Sequence, residues 1–188
     1  MFEHMNDLSK YENHLHETER RWFAVYTRFK SEKMAFRQLT RKGVKAYLPL
    51  QTFTRRYTRK VRKVELPLIS CYVFVKITSQ EYVTVLETEH VHDFVRFSRN
   101  LISIPDEEID LMRRILGENL EVSAEPSQLQ AGDRVEIIAG NLTGLQGRLV
   151  EQQDKKHMLV DLDRLGYTLR ISVDRVLLQR AAGQMTVS

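Results

Sequence analysis

The densest chemistry in this 188-residue chain lies in residues 54–63, TRRYTRKVRK. Arg55, Arg56, Arg59, Lys60, Arg62 and Lys63 make six cations in ten residues with no acid among them, although the chain carries a formal net charge of only +4. Cations at this density suit phosphate, an anionic ligand that needs no base recognition. The other reactive residue types form no catalytic constellation. Asp106, Glu107 and Glu108 stand together at a helix start, where acids complement the helix dipole. His4, His14 and His16 lack a thiol or a second ligand group at structural-site spacing, and so do His90 and His92. Cys71 is the only cysteine, which excludes an intramolecular disulfide framework and fits a reducing compartment. There is no phosphate-binding loop and no G-x-S-x-G. The sequence therefore predicts a binding protein with no enzymatic activity, no cofactor and no metal.

Composition and periodicity outline the elements that must position the basic run. At 42% hydrophobic and 29% charged the chain is globular, and no stretch approaches the 18 apolar residues of a membrane span. The first twenty residues lack the apolar core of a secretory signal, so a cytoplasmic protein is expected. Residues 1–19 read as a flexible extension. WFAVYT reads as a strand and SEKMAFRQLTRKG as a helix, with Ser31 as N-cap and Gly43 beyond its end. VKAYLPL gives a second strand, stopped near Pro49.

In the basic segment Phe53, Tyr57 and Val61 share a face at either period, helical or extended. Pro49 and Pro67 bracket it, and its threonines and Val61 favour a projecting β-hairpin. LPLISCYVFVKI is the strongest strand signal, apolar on both faces, so both need cover. SQEYVTVLETE follows as a helix capped by Ser79 with Tyr82, Val83 and Leu86 inward. HDFVRFSRNLISI continues as strand. PDEEIDLMRRILGE is a third helix with a buried stripe of Ile109, Met112, Ile115 and Leu116. Residues 118–130 turn polar and acidic and read as a linker. From Gly132 onward short β-rich runs alternate with turns, as in a small closed barrel.

This order of parts resembles the NusG/RfaH family of transcription elongation factors. The likeness rests on WFAVYT at 22–27, P-x-x-x-x-Y-V-F-V at 67–75, FVRF at 94–97, and the G-D-x-V-x-[IV] run from Gly132 to Gly147, which resembles a KOW motif. The resemblance implies an α+β protein. Its split β-α-β NGN domain, an antiparallel sheet flanked by helices, spans residues 20–117. A small SH3-like KOW β-barrel spans 131–180, and 181–188 form a tail. It also implies a non-enzymatic factor that docks on the clamp helices of the largest RNA polymerase subunit through an apolar depression lined by Tyr26, Ile69, Tyr72 and Phe74. By the same likeness, Arg28 and the six cations of 55–63 face DNA or nascent RNA. Gly140, Gly144 and Gly147 bracket a tight loop that needs positive φ or close backbone approach. Leu165 and Gly166 lie in the loop that, in relatives, reaches ribosomal protein S10 or Rho. The chain looks most like specialised UpxY-type antiterminators of surface-polysaccharide operons, acting as a monomer. The contrasting expectation is a KOW-containing RNA-binding or ribosome-associated protein that never touches polymerase.

Overall fold

A computed structural model describes residues 11–57, 60–118, 122–126, 134–137, 142–152, 155–162, 166–172 and 178–180. The chain divides into two units, Met1–Ile109 and Asp110–Ser188.

The first unit is built on a four-stranded antiparallel sheet of order β2-β5-β1-β6. Its strands are β1 (Arg21–Thr27), β2 (Lys45–Tyr47), β5 (Tyr72–Ile77) and β6 (Val91–Phe94). The alternation of β1 and β5 sends Phe23, Val25, Val73, Val75 and Ile77 into one core. Helix α1 (Glu32–Arg41) closes that core with Ala35 and Leu39, and α2 (Tyr82–Leu86) adds Val85. Gly43, at φ +79, takes the left-handed position just past α1, as its place in the sequence predicts. Ser31 flanks the helix without capping it; its hydroxyl donates to the Phe29 carbonyl at 3.5 Å instead.

The basic run is a hairpin, as the β-branched residues predict. β3 (Leu50–Tyr57) and β4 (Lys60–Pro67) pair antiparallel in a two-stranded sheet of their own. Register places Phe53 opposite Val64 and Arg55 opposite Arg62. Near its base Glu65 meets Lys33 of α1 at 3.7 Å.

Several expectations are corrected. β5 begins at Tyr72; Leu68–Cys71 are not strand, and Cys71 sits at φ +64. The helix after β5 is capped by Thr78, which forms a reciprocal capping box with Glu81 and leads a short 3-10 turn (Ser79–Glu81) into α2. Val83 points to solvent and Val85 takes the buried position, because the 3-10 turn resets the helical phase. After β6 the chain turns tightly through Ser98 and Arg99, both at positive φ, between paired Phe97 and Asn100. Residues 11–19 are not a free extension. Asn13 forms a parallel bridge with Leu101, the Leu101 N–H donates to the Glu12 carbonyl, and the His14 N–H donates to the Leu101 carbonyl. Residues 1–10 lie outside the described residues.

α3 (Asp106–Leu116) starts at the end of the first unit and continues into the second. Ile109, Met112 and Ile115 are buried and Leu116 is half-buried, as the stripe predicts. The second unit carries a six-stranded antiparallel sheet of order β12-β8-β9-β10-β11-β7. Its strands are β7 (Val122–Pro126), β8 (Arg134–Ile137), β9 (Gln146–Gln152), β10 (Lys155–Leu162), β11 (Tyr167–Ser172) and β12 (Leu178–Arg180). Met158, Leu162, Leu169 and Ile171 are fully buried there. The 118–130 linker is corrected by β7, which pairs with β11 as an edge strand, where Pro126 at its end is tolerated.

Candidate binding surfaces

The predicted apolar depression sits where β1 and β5 pair. Tyr26 lies opposite Tyr72 in register, their hydroxyls are 3.2 Å apart, and their rings meet edge-on at 5.0 Å. Tyr26 is 39% exposed, but Tyr72 is 8% exposed and Phe74 and Ile69 are buried. Phe74 also meets Tyr47 at 6.2 Å. The expectation of an open hollow built around Tyr72 and Phe74 is thus corrected. Strand period shows that a face needs cover, and here those rings lie inside the chain. Tyr26 alone of the four presents a large surface.

Backbone strain marks the same end of the sheet. Lys30, Cys71 and His90 all hold positive φ, a conformation that side chains with a Cβ rarely adopt. Backbone bonds tie the three loops together: the Thr27 N–H donates to the Cys71 carbonyl at 2.8 Å, and the Arg28 N–H donates to the His90 carbonyl at 3.0 Å. Buried Glu32 locks the arrangement by accepting the Cys71 N–H at 2.8 Å. Burial, and then the Glu32 charge, push the Cys71 thiol up, which opposes nucleophilic use. Sequence reasoning missed Glu32, because an acid in a first helical turn reads as a dipole partner.

At the other end of β1, the buried Trp22 donates its indole N–H to Asp106 Oδ1 at 2.8 Å, and Lys76 Nζ reaches the same oxygen at 2.6 Å. The Lys76 ammonium, with the indole, holds the Asp106 carboxyl below the usual carboxylate range. The acid cluster of 106–108 is therefore partly structural. His14 bonds Ser103 and His16 accepts from the Glu19 N–H. Among the described residues no cluster of three or more His, Cys, Asp or Glu is placed to hold a metal.

Lys60, Arg62 and Lys63 are exposed on β4, and Arg28 is exposed after β1. Arg55 and Arg56 occupy β3 opposite Arg62 and Val61, which groups the cations along one ribbon. The placement of Arg59 lies outside the described residues. So do those of Gly140 and Leu165. In the second unit Gly144 sits at φ +85, and Gly147 lies so close to β10 that a Cβ there would fall 2.4 Å from the Leu159 carbonyl oxygen. Gly144 thus takes a positive φ and Gly147 a close backbone approach. Gly166 is also left-handed, at φ +67. Arg148 and Thr168 both bond Asp161, across β9, β10 and β11.

Comparison with known proteins agrees with this architecture. A family model, NusG, described as transcription termination factor nusG, matches residues 20–113, half of the chain. No curated protein matches. Among solved structures, Thermotoga maritima NusG, reported for its domain interaction, has a similar fold. It is 19% identical with a TM-score of 0.55, over 87% of this chain and 98% of that one. The MjSpt4:Spt5 complex in its conformation A matches at 16% identity and a TM-score of 0.30, over 87% of this chain and 99% of that one.

Proposed function

The chain belongs to the NusG family, and from that premise we propose that it is a transcription elongation factor that binds RNA polymerase through its first unit and suppresses pausing or termination. The observation that carries the reading is the family match over the unit that holds both the Tyr26 surface and the cationic hairpin. Polymerase contact is centred on exposed Tyr26, whose ring is held edge-on by buried Tyr72. The proposed ligand at this surface is the clamp-helix pair of the largest subunit.

The action is differential binding without chemistry. A factor that bound elongating and paused polymerase equally well would shift nothing. A preference of about 1.4 kcal/mol changes the ratio tenfold. The hairpin supplies a second, electrostatic contact to DNA or nascent RNA through Lys60, Arg62, Lys63 and the β3 arginines. The second unit acts as an SH3-like KOW module that recruits a further partner, with S10 or Rho as candidates. The protein works as a cytoplasmic monomer at specific operons such as surface-polysaccharide loci, in the manner of UpxY-type antiterminators.

The test is capture of core polymerase by wild type, Tyr26→Ala and Tyr26→Phe. Tyr26→Ala is expected to weaken capture at least tenfold, and Tyr26→Phe, which keeps the ring, to retain most of it. Undiminished capture by Tyr26→Ala removes the proposed contact.

A further inference from the structure

We infer that Glu32 is a positioning residue for Tyr26: through the backbone of Cys71 it fixes Tyr72, and Tyr72 in turn fixes the exposed Tyr26 ring. The bearing of Glu32 on transcription rests on the proposed polymerase contact, whereas the positioning is a property of the free protein.

The two tyrosines belong to a closed loop of contacts. Thr27 follows Tyr26 and Cys71 precedes Tyr72, and the Thr27 N–H donates to the Cys71 carbonyl at 2.8 Å. The loop closes through the side chains, whose rings meet edge-on at 5.0 Å with their hydroxyls 3.2 Å apart. Tyr72 is buried and Tyr26 is exposed, so the inner ring sets where the outer one lies. The weak point is Cys71, at φ +64, a conformation that glycine adopts freely and a residue with a Cβ adopts only under strain. Unrestrained, its backbone relaxes toward negative φ and turns the start of β5 with it. Glu32 prevents this. Its Oε1 accepts the Cys71 N–H at 2.8 Å, so the strained residue is bonded at both its N–H and its carbonyl.

The chemistry of Glu32 suits this task and no simpler one. An acid in the first turn of α1 complements the helix dipole from the surface, yet Glu32 is 5% exposed. Burying a carboxylate is unfavourable unless hydrogen bonds compensate, and the Cys71 N–H is a compensating donor. A charged acceptor also holds a backbone N–H more strongly than a neutral one, which is what a residue under strain requires. Glu32 belongs to α1 and its target to the loop before β5, so one side chain ties the helix start to the strand that carries Tyr72. The consequence reaches the surface at Tyr26. An exposed ring that is already ordered in the free protein loses less freedom when a partner closes on it.

The test uses the full chain and two measurements: the nuclear Overhauser contact between the Tyr26 and Tyr72 rings in the free protein, and capture of core polymerase. Glu32→Ala is expected to lose the cross-ring contact and to weaken capture about fivefold or more. Glu32→Leu, which fills the space and accepts nothing, gives the same loss and covers the case in which Glu32→Ala does not fold. Glu32→Gln keeps an acceptor oxygen and retains both signals. The diagnostic arm is Cys71→Gly, because glycine takes the left-handed backbone without strain. Alone it leaves capture within about twofold of wild type, and added to either Glu32 variant it restores the cross-ring contact and most of the capture. A purely space-filling role for Glu32 gives no such rescue, since glycine at position 71 replaces none of the lost volume. An intact cross-ring contact in Glu32→Leu, or a loss that Cys71→Gly does not restore, overturns the inference. So does a lost contact with undiminished capture where Tyr26→Ala itself weakens capture. Undiminished capture by Tyr26→Ala instead overturns the polymerase contact, and the cross-ring signal still decides whether Glu32 positions Tyr26.

Discussion

Replacing Asp106 separates a hydrogen bond from an ion pair at the point where α3 joins the first unit. Asp106 Oδ1 accepts both the Trp22 indole N–H at 2.8 Å and Lys76 Nζ at 2.6 Å. Trp22 is buried, whereas the Asp106 side chain is 60% exposed, so the two bonds differ in worth. Depriving a buried donor of its acceptor costs about 1–3 kcal/mol. A largely exposed ion pair contributes about 0–1 kcal/mol. Asp106→Ala loses both and is expected to destabilise the first unit by about 2–3 kcal/mol. Asp106→Asn keeps an acceptor oxygen for the indole and is expected to cost under about 1 kcal/mol. Trp22 is the chain's single tryptophan, so urea unfolding followed by its fluorescence reports this unit directly. The folded-state pKa of Asp106 is lowered, so the stabilisation is complete above the unfolded value of about 3.9 and is lost as pH falls through the folded value. The gap between wild type and Asp106→Asn is therefore expected at pH 7 and to close below pH 4. Equal midpoints for Asp106→Ala and Asp106→Asn would refute the reasoning, because the indole bond would then carry nothing.

Three further outcomes are expected. Gly147→Ala forces a Cβ within 2.4 Å of the Leu159 carbonyl oxygen and costs about 3 kcal/mol or more, while Gly144→Ala, with open space but positive φ, costs about 1–2 kcal/mol; amide hydrogen exchange across Met158–Leu162 distinguishes them. Phe74→Ala empties a fully buried site and lowers stability by about 3–5 kcal/mol in a melt of the first unit, whereas Tyr26→Phe leaves that melt within about 1 kcal/mol of wild type. Neutralising Lys60, Arg62 and Lys63 to glutamine flattens the salt dependence of duplex DNA binding by about 2–3 in log–log slope, measured by anisotropy; an unchanged slope makes the hairpin a bystander.

Local pattern carried the sequence reading where one element decided the outcome. The 53–57–61 spacing was ambiguous, and bracketing prolines with β-branched residues resolved it into β3 and β4. The α1 and α3 stripes needed only helical period. What escaped depends on distant partners. Thr78 and Ser79 are equally good caps in isolation, and the reach of Glu81 to Thr78 decides between them. Val122 to Pro126 look like linker until β11 offers an edge. Tyr72 and Phe74 alternate as a face needing cover, which is equally true of a docking hollow and of a closed core. Glu32 carries only a weak signal, a lone acid inside a cationic stretch, that becomes legible once its burial and its bond to the Cys71 N–H are seen.

The strap formed by residues 12–16 bears on how this protein should be trimmed for experiments. The family match begins at Arg20, which invites a minimal domain starting there. Such a chain would forfeit the partners of Leu101 and Asn100, withdraw Leu15 from the hydrophobic cluster, and free the Ser79 N–H from the His16 carbonyl. Shortened versions that begin before Tyr11 keep that seam closed, and affinity tags belong upstream of it.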